Sequence, residues 1–113
     1  TAAVQALRKK GLTVASAESC TGGLVAARLT KVPGASAVFG CGIVSYNNTV
    51  KAEVLGVDPA IIEQHTAVSA ETAAAMAEAV RKKSGADIGI GVTGNAGPSA
   101  SEGQPVGLVY YKE

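Results

Sequence analysis

The sequence predicts an α/β domain built on a mostly parallel sheet whose last strand runs antiparallel. Three observations lead there. The chain has 113 residues, 47% hydrophobic, with one Phe, three Tyr and no Trp but 14 Gly. Its core must rest on Val, Ile, Leu and Ala, and small residues let helices lie close on a sheet. Short branched runs alternate with helical patterns, which implies parallel crossovers. Residues 93–105 break the alternation: they lack a helical period, so the final strand should return antiparallel.

The elements follow in order. Residues 2–10 form a helix on Ala3, Val4 and Leu7, with Arg8-Lys9-Lys10 in its last turn and Gly11 as its stop. Leu12–Ala17 is a short strand. Gly22–Val32 is a second helix, with Val25, Leu29 and Val32 at i, i+4 and i+7. Pro33-Gly34 turns the chain into the strand Val38–Tyr46. Asn47 or Asn48 caps a short helix running to Leu55, and Asp58-Pro59 opens another. Ser69 caps a long helix to Lys83 that buries Ala73, Met76, Ala77 and Val80. Ile88–Val92 is a strand with branched residues on one face and glycines on the other, and Val106–Tyr111 is the last strand.

Bulk properties narrow the function. This length fits one domain, residues 1–113, and can bury about two thirds of the unfolded surface. A net charge of +1, from ten basic and nine acidic residues, argues against a nucleic-acid partner. No apolar run approaches the ~20 residues of a membrane span, and the chain opens on a helical pattern rather than a signal peptide. Cys20 and Cys41 have no metal or disulfide spacing and suit a reducing cytoplasm. One His and two Asp, Asp58 and Asp87, make no protein-built metal centre. The runs Arg8-Lys9-Lys10 and Arg81-Lys82-Lys83 each end a helix, where cations offset the helix dipole, so they need not grip phosphate.

The topology gathers three loops at one sheet edge, where open α/β sheets bind ligands. Glu18-Ser19-Cys20-Thr21-Gly22-Gly23 joins a strand to a helix. Its glycines should leave the helix N-terminus bare, with N–H groups free for a phosphate or a developing oxyanion. Ser19 or Thr21 acting only as helix cap is the competing reading. Tyr46 ends a strand, and Lys51 falls early in the next helix, where the dipole and any burial favour a neutral amine able to act as base for a serine; the competing reading is a solvated lysine. Thr93-Gly94-Asn95-Ala96-Gly97-Pro98 permits close backbone approach to a ligand, or is a plain hairpin connection. His65 lies between two helical segments, near the cap Ser69-Ala70-Glu71, and reads as structural or substrate-contacting rather than as a triad base. Cys20 reads as a small inward residue with no base placed for it.

Together these segments resemble the CinA C-terminal domain family. The matching residues are Ala17 through Gly23, Val44-Ser45-Tyr46-Asn47 with Lys51, Leu55-Gly56-Val57, His65 through Ser69, Thr93-Gly94 with Ala96-Gly97-Pro98, and Pro105-Val106-Gly107. The resemblance implies a three-layer α/β/α sandwich, a homodimer, and hydrolysis of nicotinamide mononucleotide to nicotinate mononucleotide and ammonia without metal or other cofactor. It makes Ser19 the nucleophile, Lys51 its base and Tyr46 a proton-relay partner. It makes Glu18, Cys20, Thr21, Gly22, Gly23, Thr93, Gly94, Ala96 and Gly97 substrate-binding. The sequence departs from the family pattern at Asn95 and at Ser99-Ala100-Ser101, and the family domain normally continues with a further strand and long helix. The rival expectation is a non-catalytic nucleotide-binding or regulatory module of a two-domain competence/damage-inducible protein.

Overall fold

The computed structural model describes residues 2–94 and 109–112. Helix α1 is Ala2–Lys10, strand β1 Val14–Glu18, helix α2 Leu24–Thr30 and strand β2 Phe39–Val44. Helix α3, Asn48–Val50, continues as a π turn over Lys51–Leu55. Helices α4, Pro59–His65, and α5, Ala70–Ser84, lead to strand β3, Ile88–Gly94, and then to β4, Val109–Lys112.

The sheet order is β2-β1-β3-β4. Strand β1 is parallel to both neighbours, with Glu18 opposite Val44 on one side and Val92 on the other. Strand β4 is antiparallel to β3, as the missing crossover helix predicts. The carboxyl ends of β1, β2 and β3 therefore share one edge.

Element ends differ from expectation for local reasons. Strand β1 runs on to Glu18, so Ser19 is the first loop residue. Helix α2 starts at Leu24 rather than Gly22, because Gly22 and Gly23 hold φ of 61° and 104°, outside the helical region. The expected strand Val38–Tyr46 contracts to Phe39–Val44, and residues 106–108 lie outside the described residues.

Strand β3 explains how the sheet meets its long helix. Gly89 and Gly91 face α5, and a Cβ on either would collide with the carbonyl oxygen of Ala77 or Ala73. Strand and helix thus pack backbone to backbone. Helix α5 covers β3 and β1 from this face, and α2 packs on β1 and β2 from the other. The core lies on the α5 face, where Ala15 and Ala17 of β1 meet Leu55, Val57, Ile62, Met76 and Val80. Met76 and Val80 are wholly buried, each worth ~1.5–3 kcal/mol relative to exposure.

The capping signals form as read. Ser69 Oγ accepts from Thr72 N–H at 3.1 Å, and Asp58 Oδ1 from Ala60 N–H at 3.0 Å. Arg81 and Lys82 pair with Glu78 on their own helix, which supports the structural reading of that basic run. No helix among the described residues is long and apolar enough to cross a membrane.

Candidate active site

Ser19 stands where β1 ends, stitched to both neighbouring strands. Its N–H donates to Val92 C=O at 3.0 Å, and Ser45 N–H donates to Glu18 C=O at 2.7 Å. The Glu18–Ser19 peptide is therefore held through both its N–H and its C=O, and only 7% of Ser19 is exposed.

Lys51 arrives from the next crossover. Asn47 Oδ1 accepts from Val50 N–H at 2.8 Å, and Asn47 C=O accepts from Lys51 N–H at 3.1 Å. From Lys51 the helix widens into the π turn, which ends at Gly56 with φ 95°. Lys51 C=O accepts from Gly56 N–H and from Val57 N–H, the latter at 2.9 Å. Single π turns inside helices are often found at functional sites. The side chain is turned inward, 2% exposed, and Nζ donates to Ser19 Oγ at 3.2 Å. The solvated-lysine reading does not hold.

Glu18 corrects the expected bare helix terminus. Its Oε1 accepts from the Thr21 hydroxyl at 2.6 Å and from Val25 N–H at 2.8 Å, and its Oε2 accepts from Ala26 N–H at 3.0 Å. Neither Ser19 nor Thr21 caps α2: the residue at the cap position is Gly23, and the buried Glu18 carboxylate does the work from inside the fold. Within the loop, Gly22 N–H donates to Ser19 C=O and Leu24 N–H to Thr21 C=O. The N–H groups of Cys20 and Thr21 lie against the Cys20 sulfur.

The other candidates separate by exposure. Cys20 is half-buried; burial pushes its thiol up, and the Glu18 charge adds to this, while the two backbone N–H groups and Lys51 oppose it. A thiol held in that form is a poor nucleophile. Tyr46 is 72% exposed and its hydroxyl makes no hydrogen bond among the described residues, so Lys51 reaches Ser19 with no tyrosine between them. Thr93 is buried and donates its hydroxyl proton to Ala67 C=O at 2.7 Å, tying β3 to the turn before α5. Of the expected substrate surface, Glu18 and Thr93 are thus buried and committed. Cys20, Thr21, Gly22, Gly23 and Gly94 have exposed or half-exposed atoms. Asn95, Ala96 and Gly97 lie outside the described residues. His65 Nδ1 lies 3.9 Å from Glu71 Oε2, and among the described residues it contacts neither Ser19 nor Lys51.

Two features of the site escape sequence reasoning. One is the Glu18 cap, signalled only by an acid placed just before a Thr and a glycine pair. The other is Ser45, whose side chain is wholly buried at this edge.

A serine–lysine contact at a strand-to-helix loop occurs on unrelated folds, so the fold as a whole decides the family. The CinA C-terminal domain matches residues 1–112. The chain belongs to that family. A competence-damage inducible protein of Desulforamulus reducens is 56% identical over 106 residues, covering 94% of this chain and 26% of its own length. One from Acetivibrio thermocellus is 56% identical over 109 residues, covering 96% of this chain. The chain thus spans about a quarter of the length of these curated CinA relatives. Among solved structures, a CinA superfamily protein of Escherichia coli superposes with a TM-score of 0.94 at 35% identity, covering 97% of this chain and 64% of that one. A competence/damage inducible protein of Agrobacterium tumefaciens gives 0.90 at 43%, covering 96% and 66%.

Proposed function

We propose that this CinA domain is an amidohydrolase that converts nicotinamide mononucleotide to nicotinate mononucleotide and ammonia through Ser19 and Lys51. The observation that carries the reaction class is the 3.2 Å contact between two side chains that are 7% and 2% exposed. Support for the substrate comes from the resemblance of the motifs around it.

Lys51 in its neutral form takes the Ser19 proton as Oγ attacks the carboxamide carbon. The C–O bond forms and the carbonyl electron pair moves to oxygen. In this scheme that charge is assigned to the backbone N–H groups of Cys20 and Thr21, since at the start of α2 those of Val25 and Ala26 are taken by Glu18 and that of Leu24 by Thr21 C=O. A donor of this kind contributes about 10²–10³ in rate. The lysine ammonium gives its proton to the amide nitrogen, the C–N bond breaks, and ammonia leaves. Water, deprotonated by Lys51, then attacks the acyl carbon, the ester bond to Ser19 Oγ breaks, the lysine ammonium returns its proton to that oxygen, and nicotinate mononucleotide is released. Tyr46 takes no step in this scheme. A cytoplasmic homodimer belongs to the same reading.

The test is ammonia release from nicotinamide mononucleotide by the full chain, with Ser19→Ala as control. Release that depends on Ser19 supports the assignment, and full activity in Ser19→Ala sinks it. Nucleotide binding without turnover would favour the regulatory-module reading, in which this domain serves a much longer protein such as the curated relatives.

A further inference from the structure

Among the described residues two hydroxyls, Ser16 Oγ and Ser45 Oγ, are wholly buried with no hydrogen-bond partner. A buried, unpartnered hydroxyl carries a desolvation cost with nothing to offset it, and folded proteins hold few of them. Alanine would fit either position and remove the cost. Retaining serine therefore needs a reason.

The two serines lie on opposite sides of the sheet. Ser16 faces α2: a Cβ at Gly42 would stand 3.2 Å from its Oγ and 3.3 Å from Ala26 Cβ. Ser45 lies one residue beyond β2, with its N–H on Glu18 C=O. Strand alternation puts it on the side of Cys41 and Ile43, which pack against the core that contains Leu55. Ser19 follows Ala15 and Ala17 to the same side, and Lys51 enters there one helical turn before Leu55. Ser45 thus shares a face and an edge with the serine–lysine pair, and its complete burial keeps it from meeting a substrate.

The needs of the amine supply the reason. In the structure Lys51 Nζ donates to Ser19 Oγ. To take the serine proton, the amine must turn its lone pair toward Oγ and direct that N–H elsewhere. We propose that Ser45 is a positioning residue whose hydroxyl accepts this N–H from Lys51 while the amine accepts the Ser19 proton. The inference rests on the serine–lysine reading of the site. It explains why Ser45 is unpartnered in the arrangement seen: its partner arrives when the amine turns.

The test compares Ser45→Ala, Ser16→Ala and Ser19→Ala in the full chain. Three quantities are read: the melting temperature, kcat and KM for ammonia release from nicotinamide mononucleotide, and the rate of labelling by a serine-directed fluorophosphonate, which needs no substrate assignment. Ser45→Ala should melt at the same or a higher temperature. Its kcat should fall about tenfold or more, the size of one lost hydrogen bond to the amine, with KM unchanged and labelling slowed in step. Ser16→Ala should match it in melting and keep full activity. Wild-type kcat in Ser45→Ala overturns the inference. So does a melting temperature that falls with the activity, which makes the hydroxyl structural, or a raised KM at constant kcat, which makes it a substrate contact. Ser19→Ala separates the two levels. If it still labels and turns over, the serine–lysine reading itself falls and takes this inference with it. If it is dead while Ser45→Ala is fully active, only the role of Ser45 is lost.

Discussion

The Glu18 carboxylate holds the backbone N–H of Val25 at 2.8 Å, across a loop that contains the nucleophile candidate itself. One side chain thus anchors the residue before Ser19 to the helix after it. Glu18→Gln can keep an acceptor oxygen for the Thr21 hydroxyl and Val25 N–H, but then turns its amide N–H toward Ala26 N–H. The substitution should cost about 1–3 kcal/mol, read as a lower urea midpoint, because a buried donor loses its acceptor. Amide hydrolysis should fall with it, since the loop loses its tie to α2.

Lys51→Met keeps the length and apolar stem of the side chain and removes the amine. Hydrolysis should drop about 10²–10⁴-fold, the usual contribution of a general base, while the fold by circular dichroism stays intact. Lys51→Arg should fail as well, because a guanidinium does not give up its proton near neutral pH.

Asn47→Ala tests whether the turn that carries Lys51 must be fixed. It removes the acceptor for Val50 N–H and should cost about 0.5–2 kcal/mol, the range for an N-cap. Asn47→Asp should retain most of the stability. A kcat loss in Asn47→Ala beyond that of an equally destabilised surface variant would show that the amine has moved from Ser19.

Alkylation of Cys20 should be displaced to higher pH. Burial holds the Cys20 thiol above its ordinary range, and only the thiolate reacts. Iodoacetamide labelling of Cys20, followed by mass spectrometry, should therefore climb at a higher pH than that of a free cysteine peptide. A climb at or below the peptide's would mean that the N–H groups of Cys20 and Thr21 and the Lys51 charge outweigh burial.

The sequence made the framework legible where the signal is local. The alternation in Ile88–Val92, the Ser69 cap, the Asp58-Pro59 start and the Asn47 cap each act within a few residues, and each forms as expected. The absence of a helical period after Thr93 was enough to reverse β4. The site was legible only in part. Lys51 could be placed on its helix, but its burial and its reach to Ser19 depend on the pairing of β1 with β2, which no local pattern encodes. Glu18 shows the same limit in reverse. Ordinary caps reach two or three residues, whereas this carboxylate reaches seven and eight, across a pair of glycines at positive φ. Nothing in residue spacing announces a bond that a folded loop creates.

The glycine face of β3 has a consequence for the pair at the sheet edge. Strand and helix touch through main-chain atoms at Gly89 and Gly91, so no side chain between them can yield as a spring would. The same strand carries Val92, whose carbonyl holds Ser19. Helix α5 therefore acts as a strut behind the nucleophile. Even one added methyl on that face would be passed along β3 as a displacement of the reacting oxygen, which makes two glycines with no chemistry of their own a tight tolerance in the domain.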